Sequence, residues 1–289
     1  MDYKYIIYEK EGEISRVILN RPEKLNVMDF AGDGGIYDEF LSALDRAADD
    51  DDVKVVIIKG AGRSFCAGHN LDRIYKVYEE QDTGPEKRRP SQRARLRIDR
   101  KWLEGHHKIL LFPKITIAQV HGHCVGEGAL IAENCDIAIV ADDAHISHAE
   151  QRLGFAGSGV NLMPLYQLVG YKRARWMCLS GDAIDGKEAE RIGWATKSVS
   201  PEELEKEVEA VAKRMTLLPK DGIAIGKASN FMIVQSLGLT EGLGNAIMSH
   251  TLFTNLRFEP GEYNFVKKRK DEGTREGIHK RDERYIKKR

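Results

Sequence analysis

Cysteine is scarce in this sequence, because its 289 residues include four and no two of them form a C-x-x-C pair. Such dispersed residues do not predict a disulfide framework. Unpaired thiols in a chain of this length are typical of a reducing compartment, so we expect a cytoplasmic protein. The four are Cys66, Cys124, Cys135 and Cys178.

Long apolar runs and net charge are also missing. No run approaches the roughly 20 residues that a membrane helix needs. The opening residues, MDYKYIIYEKEGEIS, show no basic segment followed by an apolar one, so we expect no secretory signal. The 45 basic and 45 acidic side chains cancel to a formal charge of +0. This balance argues against binding nucleic acid or membrane through overall charge and leaves only local patches.

Patterns for metals and nucleotides are missing as well. His145 with His148, and His121 with His123, lack a third and a fourth ligand at standard spacing, so no metal site is predicted. The G-x-x-G-x-G of residues 154–159 does not follow a buried strand and has the wrong spacing for a dinucleotide fingerprint. No phosphate-binding P-loop is present.

Short β-branched apolar runs alternate with helical patterns in the first part of the chain. Tyr37, Phe40, Leu41 and Leu44 recur at helical spacing between two such runs. Strands that alternate with helices predict an α/β core, and an apolar content of 42% is enough to fill one. The predicted buried strands are 14–19, 53–59, 115–120 and 136–140, and a short helix is predicted at 127–135.

The second part of the chain reads as helical. Asp185 opens a D-x-x-E start, and Gly193 is a suitable helix end. The S-P-E-E of residues 200–203 predicts a capping box with proline at the first helical position. We place a domain boundary near residue 200, with the α/β core in 1–200 and a helical region in 201–289.

Two glycine-rich loops each follow a predicted buried strand. They are residues 64–71 (SFCAGHNL) and 121–129 (HGHCVGEGA). Backbone N–H groups at such turns and at helix N-termini can stabilise a negatively charged oxygen with little reorganisation. The alternative is an ordinary strand-to-helix turn in which glycine simply fits. Neither loop decides between these interpretations alone.

Several segments together resemble landmarks of the crotonase superfamily, the enoyl-CoA hydratase/isomerase family. They occur in the family's order and span nearly the whole chain. The resemblance implies an α/β fold, a crotonase (ClpP-like) spiral of ββα units with a C-terminal helical trimerisation region. The segments are 20–26 (NRPEKLN), 64–71, 119–136, 150–154 (EQRLG), 179–182 (LSGD), 189–193 (AERIG) and 265–270 (FVKKRK).

The resemblance also implies an acyl-CoA substrate, with coenzyme A as part of it and no separate cofactor. Residues 1–200 would bind and convert the thioester, and residues 201–289 would mediate trimer or hexamer formation and cap the active site. The backbone amides of His69 and Glu127 would form an oxyanion hole for the thioester enolate. Glu150 would be the acid/base group. Neither a membrane nor nucleic acid is expected as a partner.

Leu130 is the most informative departure from the family pattern. The family's hydratases use two glutamates to add water, and Leu130 occupies the position of the first. A lone glutamate at position 150 resembles family members that move a proton between carbons, such as 3,2-enoyl-CoA isomerases. The side chain of Glu127 could turn into the pocket or lie solvated. The candidates to replace the missing carboxylate are His69, His123, His148, Glu127 and Glu133.

The resemblance assigns a set of residues to the CoA thioester. Lys268 or its neighbours would reach a phosphate of the ligand in a neighbouring subunit, and Leu130 would line the substrate pocket. The other CoA-binding candidates are Lys24, Leu25, Arg63, Ala67 and Leu71.

A basic segment at residues 87–101 carries eight basic side chains and one acidic one. It could form a solvated helix face, attract the anionic CoA, or bind RNA. Tyr75 and Tyr78 could shape a pocket for a linear, cyclic or aromatic acyl group. The first functional hypothesis is a hydratase-like enzyme, followed by an isomerase with a single glutamate or an acyl-CoA hydrolase. A hypothesis of another class is a non-catalytic protein of the same fold that binds CoA or RNA.

Overall fold

The computed structural model describes residues 2–30, 32–73, 91–154, 162–238, 242 and 260–286, and the backbone alone of 81–82 and 87–88. Tyr75 and Tyr78 lie outside the described residues, as do Gly157 and Gly159. In the described part of the chain, no helix is long and apolar enough to cross a membrane.

Six of the strands build one mostly parallel sheet. The strands are β1 (Ile6–Glu11), β2 (Ile14–Leu19), β3 (Val55–Gly60), β4 (Gln81–Asp82), β5 (Lys87–Arg88), β6 (Ile115–Val120), β7 (His123–Val125), β8 (Ile137–Ala141), β9 (His145–Ser147) and β10 (Lys197–Val199). The helices are α1 (Ile36–Asp49), α2 (Gln92–Leu110), α3 (Glu127–Glu133), α4 (Met163–Val169), α5 (Tyr171–Ser180), α6 (Gly186–Ile192), α7 (Leu204–Thr216), α8 (Lys220–Ser236), α9 (Phe265–Glu272) and α10 (Thr274–Ile286).

The main sheet has the order β1-β2-β3-β6-β8-β10, and all its neighbours are parallel except β1 and β2. All six residues of β6 are buried, and all of β3 is buried except Lys59. Such continuous apolar runs are expected of strands covered on both faces. Helix α1 packs on β1 and β2, while α7 packs on β2, β3, β6 and β8. The family resemblance predicted this α/β arrangement followed by helices.

The parallel register places the functional loops at one edge of the sheet. Leu19 at the end of β2 pairs with Gly60, and Lys59 pairs with Gln119 of β6. Val120 at the end of β6 pairs with Val140 of β8. The segments that leave β2, β3, β6 and β8 therefore start side by side, as the carboxyl ends of parallel strands do.

A second, smaller layer begins where these segments meet. Strands β7 and β9 pair in parallel, with His123 opposite His145. Single bridges extend this layer, since Met28 pairs with His69 and Cys66 pairs with Cys124. The two glycine-rich loops thus belong to one backbone network that lies beside the main sheet.

Several predicted elements are confirmed. Strands β2 and β6 have the predicted bounds, while β3 and β8 begin later than predicted and end one residue later. In α6, the Asp185 side chain accepts a hydrogen bond from the Glu188 amide, and Gly193 ends the helix in the left-handed conformation. Strand β1 was not predicted, although Gly12, with φ 57°, closes its hairpin with β2.

The capping box predicted at residues 200–203 is wrong. Helix α7 begins at Leu204, and its N-cap residue Glu203 makes no side-chain cap. The Glu203 amide instead donates to the Ser200 carbonyl at 3.0 Å, which forms a backbone turn before the helix. The division near residue 200 remains a prediction. Leu204, Val208 and Ala212 of α7 are buried in the same core as the sheet.

Candidate active site

Two loops meet at the edge of the sheet through paired backbones. We call residues 64–71 the first loop and residues 121–127 the second loop. The Cys66 amide donates to the His123 carbonyl at 2.9 Å, and the Val125 amide donates back to Cys66 at 3.0 Å. A Cβ added to Gly68 would lie 2.9 Å from the Val125 oxygen. Glycine is required there because any side chain would force the two loops apart.

The segment before the first loop holds it from the other side. Asn26 is fully buried, and its side-chain amide donates to the carbonyls of Ser64 at 2.8 Å and Ala61 at 2.9 Å. The Ala67 amide donates to the Leu25 carbonyl at 2.9 Å. The NRPEKLN segment therefore fixes the backbone of the first loop.

The amides of His69 and Glu127 belong to the two loops at the point where these approach each other. The Met28 amide donates to Gly68, and the Asn70 amide donates to Met28, so the intervening His69 amide faces away from Met28. Glu127 is the first residue of α3, where helical amides lack an internal partner. Among the described residues, neither amide has a hydrogen-bond acceptor. The Cβ position of Gly68 lies only 3.9 Å from the Glu127 nitrogen, so the two donors are close.

The carboxylate of Glu150 lies against the second loop. Glu150 opens the 3-10 turn Glu150–Leu153, which follows β9. Its Oε1 is 2.8 Å from the position of a Cβ on Gly126, whose φ is 53°. Residue 126 must therefore be glycine for two reasons: its backbone conformation and the approach of the carboxylate. This contact brings the predicted acid/base group next to the Glu127 amide.

A buried ion pair lies directly behind Glu150. The Nε2 of His148 is 2.8 Å from Oε1 of Glu133, and the Trp194 indole donates to the same oxygen at 2.7 Å. Burial is the largest single influence and lowers the pKa of His148, but the charge and the hydrogen bond of Glu133, together with the charge of Glu150, outweigh it and raise that pKa to about 9. His148 is therefore a cation at neutral pH, two residues from Glu150.

A second buried cluster surrounds the side chain of Glu127 at the start of α3. The Glu127 side chain is buried, not solvated, and its Oε2 is 3.3 Å from His69 Nε2 and 3.4 Å from His106 Nε2. Burial alone would raise the pKa of Glu127, but His106 and His69 outweigh it and lower that pKa to about 2. The His69 ring lies 5.4 Å from Phe30 in a stacked arrangement and 4.2 Å from Trp102. Glu127 is thus a buried carboxylate shared by two imidazoles.

Sequence reasoning missed His106. It lies on α2, a helix that includes part of the basic segment of residues 87–101. The side chains of Arg95, Asp99, Trp102 and His106 are buried at spacings of three and four, which indicates a packed helix and not a uniformly solvated face. This helical spacing could have indicated a buried face of α2 that includes His106. The many charged residues of the segment concealed the pattern in the sequence.

Leu130 is buried in the first turn of α3. It is 3% exposed, and its amide donates to the Gly126 carbonyl at 3.0 Å in the first turn of α3.

His123, another candidate to replace the missing carboxylate, is exposed and packs edge-on against His145, 5.2 Å away. Within the described residues, no group of three or more side chains could hold a metal ion.

The candidate CoA-binding residues lie on the outer side of the first loop. Lys24 is half exposed, with its ammonium 3.7 Å from Asp72, and Arg63 is exposed. Leu71 begins the 3-10 turn Leu71–Arg73 and packs against Phe265 of α9. Lys268 lies on the same helix, 3.1 Å from Glu272. Helix α9 therefore lies against the first loop of its own chain.

Comparisons with known proteins all point to one family. A family model described as Enoyl-CoA hydratase/isomerase matches residues 9–274. The Delta(3,5)-Delta(2,4)-dienoyl-CoA isomerase of Dictyostelium discoideum, a mitochondrial protein, is 34% identical over 195 residues, which are 66% of this chain and 64% of that protein.

Solved structures agree with this family. The enoyl-CoA hydratase/isomerase from Xanthobacter autotrophicus Py2 superposes with a TM-score of 0.85 at 26% identity, covering 98% of this chain and 99% of its own. An enoyl-CoA hydratase from Mycobacterium smegmatis superposes with a TM-score of 0.83 at 26% identity, covering 98% and 94%. The fold is therefore the one that the resemblance in the sequence predicted.

The ion pair behind Glu150 predicts a pH dependence of stability. Because folding raises the pKa of His148 to about 9, its contribution is complete below the unfolded value of roughly 6.5 and is lost as pH rises through 9. Urea unfolding should show this loss, on the order of a few kcal/mol, in the wild type but not in the double variant Glu133→Gln/His148→Gln. The exposed His279→Gln should behave as the wild type. If the free energy of unfolding of the double variant falls with rising pH as steeply as that of the wild type, the account is contradicted.

Proposed function

Since this chain belongs to the enoyl-CoA hydratase/isomerase family, we propose that it converts an enoyl-CoA thioester through an enolate. The thioester oxygen accepts hydrogen bonds from the amides of His69 and Glu127. Glu150 transfers the proton at the carbon next to the thioester. Coenzyme A enters as part of the substrate, and no separate cofactor takes part. Cytoplasmic location remains a prediction from the cysteine content.

The pair of amides without acceptors is the observation that carries this proposal. Enolate formation places negative charge on the thioester oxygen, and fixed backbone donors stabilise that charge in the transition state more than in the ground state. Removing one such donor in other enzymes costs about 10²–10³-fold in rate. Gly68 supports the arrangement because its lack of a side chain allows the two loops to approach.

Hydration is the first form of the reaction. As the water oxygen bonds to the far carbon of the double bond, one of its O–H bonds breaks and Glu150 accepts that proton, while the double-bond electrons form the enolate on the thioester. Glu150 then delivers the proton to the near carbon, and the enolate electrons form the new C–H bond. The contact between Glu150 and Gly126 supports this role, because the carboxylate reaches the turn that carries the second amide.

Isomerisation is the second form, and Leu130 favours it. A buried leucine cannot position water or transfer a proton. An enzyme with Glu150 as its single acid/base would remove a proton from one carbon and return it to another through the same enolate. The dienoyl-CoA isomerase among the relatives is in keeping with this alternative.

The CoA moiety is proposed to follow the outer side of the first loop. Leu25 and Ala67 offer backbone groups near the thioester, with Leu71 beside them. Lys24, Arg63 and Lys268 offer positive charge for the phosphates, which attract cations even from partly exposed positions. Leu130 lines the pocket from below.

Self-association is proposed through helix α8, which buries only Ile223 along its length. Ile225 is 70% exposed and Met232 is 68% exposed, and their spacing of seven places them on one face of the helix. Exposed apolar side chains on one face are typical of an interface between subunits. A trimer or a hexamer would cover this face.

Replacing the acid/base group tests the reaction. In heavy water, Glu150→Gln should lower both product formation and deuterium exchange by about 10²-fold or more, because no group remains to transfer the proton. Binding of free CoA should not change. The measurement is mass spectrometry of a panel of 2-enoyl, 3-enoyl and cyclic enoyl-CoA thioesters, with the surface variant Glu188→Gln as control. A product heavier by one heavy-water molecule identifies hydration, and deuterium without added water identifies isomerisation.

A wild-type rate in Glu150→Gln would overturn the mechanism. If the wild-type protein leaves every thioester of the panel unchanged, the enzymatic proposal itself fails, and a CoA-binding role without catalysis would be favoured.

Charge on the face of α8 tests self-association. Ile225→Glu and Met232→Glu together should reduce the mass measured by light scattering from a multiple of 32.6 kDa to that of one chain, because burying two carboxylates is unfavourable. Lys187→Glu, a charge change at an exposed position of α6, should leave the mass unchanged. An unaltered mass in the double variant would show that subunits meet elsewhere.

A further inference from the structure

We propose that Glu133, His148 and Trp194 are positioning residues that fix the Glu150 carboxylate relative to the amide of Glu127. This inference rests on the proposed function and concerns both of its forms, because each form needs that carboxylate and that amide. The three side chains are buried, so they act through the backbone segment that carries Glu150 and not through contact with the substrate.

Helix α3 is a rigid spacer between the amide and the ion pair. It begins at Glu127 and ends at Glu133, and all seven of its residues are buried. At a rise of 1.5 Å per residue, its two ends lie about 9 Å apart. A helix enclosed in a close-packed interior has little room to shift. Glu133 is therefore a fixed point with respect to the Glu127 amide.

Two consecutive residues attach the end of β9 to both ends of this helix. At the start of α3, the Gly126 amide donates to the Ser147 carbonyl at 2.9 Å. At the end of α3, Nε2 of His148 lies 2.8 Å from Oε1 of Glu133. One attachment would let the strand end turn about it. A second attachment, about one helix length away, removes that freedom.

Trp194 fixes the carboxylate to which His148 binds. Its indole N–H donates to Oε1 of Glu133 at 2.7 Å, the same oxygen that His148 contacts. Trp194 follows α6, so three separate parts of the chain meet at one buried oxygen. Hydrogen bonds that involve a charged group are the stronger ones, and two of them at one oxygen restrict the orientation of the carboxylate.

Glu150 depends on this attachment because its own side chain is not held. Among the described residues, its carboxylate accepts no hydrogen bond, so the backbone around it decides where the carboxylate lies. His148 fixes that backbone two residues before Glu150. Two residues after it, Nε of Arg152 donates to the Ser180 carbonyl at 2.6 Å, and Arg152 also pairs with Asp182. The acid/base group thus lies between two anchored residues.

Stability alone does not account for an ion pair at this place. A buried ion pair can often be replaced by apolar side chains without loss of stability, because the desolvation of both charges opposes their attraction. Within the described residues, Oε2 of Glu133 and Nδ1 of His148 also lack hydrogen-bond partners, which adds to that cost. What the pair provides beyond apolar contact is direction, and direction is what a positioning role needs.

A variant without the pair tests this role. Glu133→Leu/His148→Leu, the leucine variant, removes both charges together and leaves no unpaired one. On the enoyl-CoA thioester that the wild type converts, its kcat should fall by about tenfold or more, because a displacement of about 1 Å can cost 10²-fold in rate. The dissociation constant of a non-reacting acyl-CoA should stay within about threefold of the wild-type value, since the residues proposed to bind CoA are unchanged.

A matched variant restores the hydrogen bond without the charges. Glu133→Gln/His148→Gln, the glutamine variant, keeps an acceptor for Trp194 and a donor at position 148. It should retain at least about a third of the wild-type kcat, because the attachment to α3 remains. The surface variant Glu188→Gln is the control for both. A general loss of folding would not separate the leucine variant from the glutamine variant in kcat alone.

A spectroscopic measurement shows whether the oxyanion hole is intact. The infrared shift of the carbonyl of a bound, non-reacting acyl-CoA reports on the hole and not on Glu150. It should persist in both double variants, because α3 and the two loops are unchanged. If the leucine variant does not fold, Glu133→Met/His148→Met takes its place, since the flexible methionine fills irregular space.

The outcomes distinguish the inference from the proposed function. A leucine variant whose kcat lies within about threefold of the wild type overturns the positioning role. An equal loss of kcat in both double variants also overturns it, and so does a loss of the carbonyl shift or of acyl-CoA affinity together with kcat. These results leave the enolate chemistry of the wild type standing. A wild-type protein that converts no thioester contradicts the proposed function itself.

Discussion

The close approach of two backbones at Gly68 is the constraint on which the site depends. The parallel register of β2, β3 and β6 starts the loops side by side, and the Cys66–Val125 hydrogen bond joins them. The close contact of the two loops requires a residue without a side chain at position 68, because a Cβ there would lie 2.9 Å from the Val125 oxygen. The pair of amides therefore follows from strand pairing and one glycine, which explains why bulky residues at 69 and 127 can be accommodated.

Two buried carboxylates lie near the proposed oxyanion hole. Glu127 and Glu133 are both buried, and each is offset by histidine: Glu127 by His69 and His106, and Glu133 by His148. An unpaired buried charge would cost several kcal/mol, so each carboxylate depends on the imidazoles beside it. The cluster of Glu127 begins at the turn of residues 126–127, and the cluster of Glu133 includes His148, two residues before the proposed acid/base Glu150.

The sequence was informative where structure is local. The strands at 14–19 and 115–120 and the helix between Asp185 and Gly193 depend on short apolar runs and caps, and all three were predicted. The family resemblance predicted the fold and brought together the two loops. It could not predict that Glu127 would be buried, because its partner His106 comes from α2 and only the tertiary structure joins them. The helix start predicted at the capping box of residues 200–203 was wrong. A backbone turn replaces the side-chain cap of Ser200, and the helix begins at Leu204.

The vibrational frequency of a bound thioester carbonyl tests the central claim most directly. With a carbonyl-labelled, non-reacting acyl-CoA, infrared difference spectroscopy should show a lower C=O frequency in the wild-type complex than in water, since two fixed donors polarise the bond. The shift should disappear in Gly68→Ala, which separates the loops, and persist in Gly12→Ala, where a Cβ meets nothing within 4 Å. A wild-type frequency equal to that in water, or a full shift in Gly68→Ala, would contradict an oxyanion hole formed by His69 and Glu127.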